Sequence, residues 1–203
     1  MADSFLNIAY DQGGSDSRDL YAKWSKTYDS EVYSNGYVKP QRCAKVLTQF
    51  SSDLKTPLLD YGCGTGFSGE ALKTEGFTTI QGCDISKEML ALADEKSIYS
   101  VLKYFDPDKA PEIAAGMFHA IAAIGVISVG AAPPSTFDLI IELLAPKGLF
   151  FFSFNDHALA DPSFKAKVKE YTDSSRIELL FKEYGDYQHG VCLKSNVYVL
   201  KKA

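Results

Sequence analysis

The sequence predicts an α/β fold, a mostly parallel sheet covered by helices on both faces. Three observations predict it. Apolar runs of strand length recur between helical patterns, which is the sequence form of βαβ units. Several runs are continuously apolar, as strands covered on both faces are. The first run also passes straight into three alternate glycines, Gly62, Gly64 and Gly66, at the end of a strand where open parallel sheets bind ligands.

In chain order, Asp19 to Ser30 and Pro40 to Phe50 read as two helices ahead of the sheet. The second carries Cys43, Val46, Leu47 and Phe50 on one face and should pack on the sheet. The strands are Pro57 to Tyr61, Thr78 to Asp84, Tyr99 to Phe105, Phe118 to Ile124 and Leu149 to Phe154. Between them, Phe67 to Glu75 is a helix stopped by Gly76, and Ser86 caps a helix through Met89, Leu90 and Ala93. Pro134 opens a third, with Phe137, Ile140, Ile141 and Leu144 at helical spacing, ended by Pro146, Lys147 and Gly148. A poorly patterned crossover around Pro107 to Gly116 joins the third and fourth strands. A helix around Phe164 to Tyr171 follows the fifth strand, and Ile177 to Lys182 and Cys192 to Leu200 form a hairpin whose loop contains Gly185 and Gly190.

Composition narrows the function. With 203 residues, at roughly 100 to 200 per domain, one domain is expected. Hydrophobic residues at 46%, with 13 Phe and 12 Tyr, supply a single large core. The net charge of -5 lacks the basic excess that holds a phosphate backbone, so nucleic acid is not the expected partner. The first thirty residues carry Asp3, Asp11, Asp16 and Asp19 and do not read as a secretory signal, which points to the cytoplasm. The longest apolar stretch, Ala120 to Ala132, is broken by glycines and falls short of the roughly 18 residues of a membrane span. Cys43, Cys63, Cys83 and Cys192 make no C-x-x-C pair and the three histidines no close pair, so reduced thiols and no metal are expected.

The densest chemical signal is Leu58-Leu59-Asp60-Tyr61-Gly62-Cys63-Gly64-Thr65-Gly66. Glycine has no Cβ, so the chain can turn sharply there and a ligand can lie against the backbone. Two ligand classes compete. Gly64-Thr65-Gly66-Phe67-Ser68-Gly69 is a literal G-x-G-x-x-G with Asp84 twenty residues on, which spells a dinucleotide site. Against it, the Asp60 carboxylate suits an ammonium group or an ordered water and repels a pyrophosphate. An extra glycine also precedes the motif, and too little chain stands before the sheet for a dehydrogenase's catalytic domain.

Asp60 to Gly66 resembles the glycine motif of class I S-adenosylmethionine-dependent methyltransferases. Gly82-Cys83-Asp84-Ile85-Ser86 with Met89-Leu90, and the turn Leu144-Ala145-Pro146-Lys147-Gly148, are similar to that family's second-strand end and fifth-strand approach. Tyr28-Asp29, Gly36-Tyr37 and Pro40 look like the methyltransferase-like group related to the protein of the Williams-Beuren syndrome region. The resemblance implies a Rossmann-like three-layer αβα sandwich, with a seven-stranded, mostly parallel sheet and an antiparallel C-terminal strand. It implies a 1–55 helical lid on a 56–203 core, S-adenosylmethionine as cofactor and a small-molecule methyl acceptor.

The same resemblance assigns residues. Asp60, Gly62, Cys63, Gly64, Thr65 and Gly66 form the cofactor loop, and Asp84 accepts from the ribose hydroxyls. Ile85, Ser86 and Met89 follow on the adenine side, although Met89 also fits a core position. Asp106 meets the adenine amino group or serves as a plain loop acid before Pro107. Ile124, Gly125 and Ile127 lie beside the sulfonium. The sequence departs from the family at His119, where an Asp commonly stands. Trp24, Tyr28, Tyr33 and Tyr37 suit a lid that excludes water, or else pack helices on the sheet. Asn155 and His157 could touch substrate or belong to a surface loop. Methyl transfer needs alignment more than a catalytic triad, and no residue is singled out as a base. A nicotinamide-dependent oxidoreductase and a non-catalytic adenosylmethionine-binding regulator are the alternatives.

Overall fold

A computed structural model describes residues 17–34, 36, 38–106, 109, 113–188 and 193–203. Tyr37, Pro107, Gly190 and Cys192 lie outside them. Seven strands form one sheet among the described residues: β1 (Leu58–Tyr61), β2 (Ile80–Asp84), β3 (Val101–Tyr104), β4 (Phe118–Ala123), β5 (Leu144–Asn155), β6 (Ile177–Gln188) and β7 (Leu193–Lys202). Their order is β3-β2-β1-β4-β5-β7-β6. β1 to β5 pair in parallel, while β7 runs antiparallel to both β5 and β6. This is the Rossmann-like sandwich expected, with the antiparallel hairpin closing one side.

Alternation along the buried strands divides the core between the two faces. Leu59, Tyr61, Phe150, Phe152 and Phe154 join one cluster, and Leu58, Phe151, Val197 and Val199 join the other. The first cluster is covered by α5 (Thr136–Leu143), α6 (Asp156–Ala160) and α7 (Pro162–Asp173) through Phe137, Ile140, Ala158, Phe164 and Tyr171. The second is covered by α2 (Lys39–Phe50) and α3 (Phe67–Thr74) through Cys43, Leu47, Ala71 and Leu72. Burying a Phe or Leu is worth roughly 1.5–3 kcal/mol, so the sheet's two apolar faces hold the layers together. Two further helices, α1 (Ser17–Ser34) and α4 (Lys87–Glu95), pack on one another.

The caps explain where helices begin. Ser86 accepts from Met89 N at 3.2 Å and starts α4, and Asp161 accepts from Ser163 N at 2.8 Å and starts α7 with Pro162 in its first turn.

Several boundaries differ from the sequence reading. β5 begins at Leu144, not Leu149, because Leu144 already pairs with Phe118 before the register shifts and resumes at Ala120 with Leu149. Lys147, at φ 61°, absorbs that shift, so Pro146, Lys147 and Gly148 interrupt the ladder without ending it. β6 runs on to Gln188, and Gly185 is a strand residue instead of part of the turn. A Cβ there would lie 2.9 Å from the Arg42 guanidinium carbon. That guanidinium donates to the carbonyls of Glu183, Asp186 and Ser195, tying α2 to the hairpin. Tyr99 precedes β3 instead of opening it, and the short helix α6 was not anticipated.

Candidate active site

β1 and β4 are neighbours, yet the chain leaves them toward opposite edges of the sheet. Their carboxyl ends therefore flank the switch point where such sheets bind ligands. The loop from Tyr61 to Gly66 sits there. Gly62, Gly64 and Gly66 have φ of 71°, 55° and 94°, a left-handed backbone that side-chain-bearing residues rarely adopt.

The loop is tied down on one side and open on another. Gly62 N and Cys63 N both donate to Cys83 O, at 2.8 and 3.0 Å, and Gly66 N donates to Cys63 O at 2.9 Å. Gly64 N donates to Asp84 Oδ2 at 2.8 Å, while Asp84 Oδ1 accepts from Ser86 N at 2.9 Å. One carboxylate thus joins the glycine loop to the start of α4. A Cβ on Gly62 would lie 2.5 Å from Val126 Cγ2, whereas one on Gly64 would meet nothing within 4 Å. Gly62 allows close packing; Gly64 leaves bare backbone beside open space.

Beneath the loop Asp60 is completely buried. Its Oδ2 accepts from Ser68 Oγ at 2.6 Å and from Tyr99 Oη at 2.8 Å. Among the described residues its Oδ1 is buried without a hydrogen-bond partner, as is Thr65 Oγ1 in the loop above. Burial pushes the Asp60 carboxyl up to about 6; the two hydroxyls pull it down and the Asp84 charge adds to the rise. Asp84 is also raised, again by burial, against hydrogen bonds from Ser86, Gly64 and Ile85. Burial holds all three described thiols in their protonated form, Cys43 at about 11, Cys83 at about 12 and Cys63 well above its ordinary value. None is an activated nucleophile.

The third glycine of the dinucleotide-like spacing has a packing role. A Cβ on Gly69 would fall 2.4 Å from Tyr99 Oη, so the position is small to admit the tyrosine that reaches Asp60. Open backbone next to two buried carboxylates suits a ligand bearing hydroxyls and a cation and opposes a diphosphate. The residues present therefore fit a nucleoside that carries an amino acid.

The remaining expected residues are distributed as follows. Ile85 is half-buried, Ser86 caps α4, and Met89 is buried on α4. Asp106, just past β3, is paired with Lys109 at 3.4 Å. Ile124 is buried, Gly125 has φ of 81° and donates to Ser153 Oγ at 3.3 Å, and Ile127 lies fully inside the core. Trp24 is buried and edge-on to Tyr28 at 4.7 Å, and Tyr28 faces Phe67 of α3 at 6.5 Å. Lys96 lies over the Phe67 ring and bridges Asp29 at 3.1 Å and Glu70 at 3.0 Å. These contacts hold α1 beside the first turn of α3. Tyr33 is 79% exposed, away from that contact. Asn155 is buried and its Oδ1 accepts from Ser128 Oγ and Ala158 N, so it caps α6 at the end of β5. His157 is exposed on α6, and His119 is exposed on β4.

Sequence reasoning missed Tyr99 and Ser68, the partners of Asp60, and also Lys39. The Lys39 side chain is 1% exposed at the start of α2, and burial drives its ammonium down to about 7. The signal for Tyr99 lay in Gly66, Gly69 and Gly82, all of which face its ring.

A family model described as a methyltransferase domain matches residues 35–197. The chain belongs to this family. Methyltransferase-like protein 27 of Homo sapiens is 31% identical to this methyltransferase domain over 120 residues, covering 56% of this chain and 48% of the human protein. The 18S rRNA (guanine(1575)-N(7))-methyltransferase of Saccharomyces cerevisiae is 39% identical over 70 residues, 34% of this chain and 26% of that protein. The chain thus spans about half the length of the first of these relatives, and its match to the second is shorter still. Among solved structures, magnesium protoporphyrin IX methyltransferase from Synechocystis PCC 6803 with bound S-adenosylmethionine superposes with a TM-score of 0.68 at 16% identity. That match covers 100% of this methyltransferase domain and 99% of the other chain, which establishes a shared fold. Among the described residues no helix is long and apolar enough to cross a membrane.

Proposed function

We propose that this chain, as a single domain, transfers the methyl group of S-adenosylmethionine to a small molecule in the cytoplasm. One observation carries the reading: the left-handed Gly62-Gly64-Gly66 loop stands at the sheet's switch point with two buried carboxylates, Asp60 and Asp84, against it. The cofactor supplies an activated methyl on a sulfonium, so the reaction is an in-line displacement. The protein's share is binding, alignment and exclusion of water.

Each share has candidate residues. Asp84 accepts from ribose hydroxyls while its backbone donors keep loop and helix in place. Bare backbone at Gly64 would let the nucleoside lie close, with Ile85 and Asp106 as the residues that would flank the adenine. Gly125, without a side chain at the end of β4, would stand beside the sulfur, and Trp24 and Tyr28 on α1 would help keep bulk water from the loop. Membership in the family and the acid beside the loop favour this reading over nicotinamide chemistry.

The net charge of -5 supports a small acceptor. A second reading, an RNA base as acceptor, is favoured by the similarity to relatives named as 18S rRNA methyltransferases. Calorimetric titration with adenosylhomocysteine and with NAD tests the cofactor. Binding of NAD alone would overturn the assignment. Transfer of labelled methyl to a metabolite panel, run beside structured RNA, separates the two acceptors, and tight binding without any turnover would identify a regulator.

A further inference from the structure

We propose that Tyr99 is a positioning residue for the cofactor: with Ser68 it occupies one oxygen of the Asp60 carboxylate and leaves the other, Oδ1, to receive the amino-acid ammonium of adenosylmethionine, directly or through one water. The inference rests on the cofactor reading above and adds to it a residue outside the glycine motif.

The geometry is asymmetric. An ionised carboxylate offers about four lone-pair sites on two oxygens. Here both donors, Ser68 Oγ at 2.6 Å and Tyr99 Oη at 2.8 Å, converge on Oδ2, and Oδ1 is buried with no partner among the described residues. A buried acceptor left without a donor is costly and calls for an explanation. Thr65 Oγ1, in the loop that follows, is orphaned in the same way. Two unfilled acceptors at one end of the sheet mark a place completed by a ligand's donors.

The fold makes room for this tyrosine at three points. A Cβ on Gly69 would lie 2.4 Å from its hydroxyl oxygen, one on Gly82 2.9 Å from Cδ1, and one on Gly66 3.4 Å from Cε2. The glycine loop, α3 and β2 each give up a side chain to the same ring. Its hydroxyl ends on Asp60, not on solvent.

Charge supports the geometry. Burial lifts Asp60 to about 6, and the Tyr99 and Ser68 hydrogen bonds hold it down from a higher value. The other titratable groups around it are Asp84, Cys63, Cys83 and Tyr99 itself, all raised by burial. The stem of Lys96 passes Gly66, with its ammonium engaged by Asp29 and Glu70. Between pH 5 and 8 the thiols and the phenol stay protonated, and Asp60, lifted to about 6, titrates within that window. Loss of the Tyr99 donor raises Asp60 further, so the carboxylate that holds the ammonium is protonated at a higher pH.

Adenosylhomocysteine and 5′-methylthioadenosine separate the two acids, because the second probe keeps the ribose and lacks the amino acid. Affinity for each is measured by calorimetry from pH 5 to 8 in the wild type, Tyr99→Phe and Ser68→Ala. In the wild type, adenosylhomocysteine should lose about tenfold in affinity per unit as pH falls below the Asp60 midpoint. In Tyr99→Phe, which keeps the ring in its glycine-lined space, that midpoint should rise by about one unit, the equivalent of one hydrogen bond. Ser68→Ala should move it the same way. The methylthioadenosine profile should be unmoved by either variant. Adenosylhomocysteine curves that coincide in the wild type and both variants, or a methylthioadenosine shift of equal size, would overturn the role of Tyr99 alone. No binding of either nucleoside to the wild type would overturn the cofactor reading and this proposal together.

Discussion

One added methyl group distinguishes the two jobs done by the glycine loop. At Gly62 the new Cβ would lie 2.5 and 2.8 Å from the two methyls of Val126, on a backbone with φ of 71°. The left-handed conformation costs roughly 1–2 kcal/mol for an L-residue, and overpacking typically adds about 1–3 kcal/mol. A chain of this size loses about 2–4 °C per kcal/mol, so Gly62→Ala should lower the melting temperature by on the order of 10 °C. At Gly64 φ is 55° and the Cβ meets nothing, so only the backbone cost of roughly 1–2 kcal/mol applies. Gly64→Ala should therefore melt only a few degrees below the wild type, yet its methyl stands in the space left for the ligand and should abolish measurable adenosylhomocysteine binding. Thermal unfolding by circular dichroism and calorimetric titration read the two effects separately. Adding Val126→Ala to Gly62→Ala should show a coupling of about 1–3 kcal/mol, the overpacking part returned. Equal melting temperatures for the two alanine variants, or wild-type affinity in Gly64→Ala, would refute this division of labour.

Other consequences are simpler to state. Asp84→Ala removes the acceptor for Gly64 N and Ser86 N together with the acid assigned to the ribose, and should weaken adenosylhomocysteine at least tenfold in calorimetry. Lys39 has a folded-state pKa near 7 against 10.5 in the unfolded chain, so between those values the unfolded chain binds the extra proton. Stability should then rise with pH across that window by up to ~1.4 kcal/mol per unit. Urea unfolding from pH 7 to 9 should show this rise in the wild type and a flatter profile in Lys39→Met. Lys202 Nζ donates to Ile141 O at 2.7 Å and Leu144 O at 2.6 Å, where α5 ends and β5 begins. Lys202→Met removes a charged donor from both carbonyls and should cost about 1–3 kcal/mol in the same unfolding assay.

What could be read from the sequence was whatever the backbone itself demands. Gly62, Gly64 and Gly66 announce a sharp turn open to a ligand, because glycine alone adopts such backbone cheaply, and Asp84 at a strand end announces an acid for ligand hydroxyls; that the same carboxylate also holds the loop through Gly64 N is a tertiary contact. The succession of strands and helices along the chain followed from alternation, and the hairpin from its two terminal strands, whereas which strand lies beside which came from the tertiary structure. Features made by tertiary partners were not legible. Tyr99 looked like an ordinary strand residue, and only the three-dimensional meeting of Gly66, Gly69 and Gly82 gives it a place beside Asp60. Pro146-Lys147-Gly148 spelled a break, but the pairing of Leu144 with Phe118 carries the ladder past it. Asn155 was read for its chemistry at a strand end, whereas its side chain caps α6, a helix too short to show a period.

The placement of Trp24 also has an experimental use. It is the one indole in the sequence, buried on α1 against Tyr28, on a helix tethered to the rest of the chain through Asp29 and Lys96. Emission excited beyond the tyrosine absorption band therefore reports on that helix, without a label. Its colour and quenching by iodide reveal whether the helix lifts away when the tether is screened by salt, long before an acceptor is known.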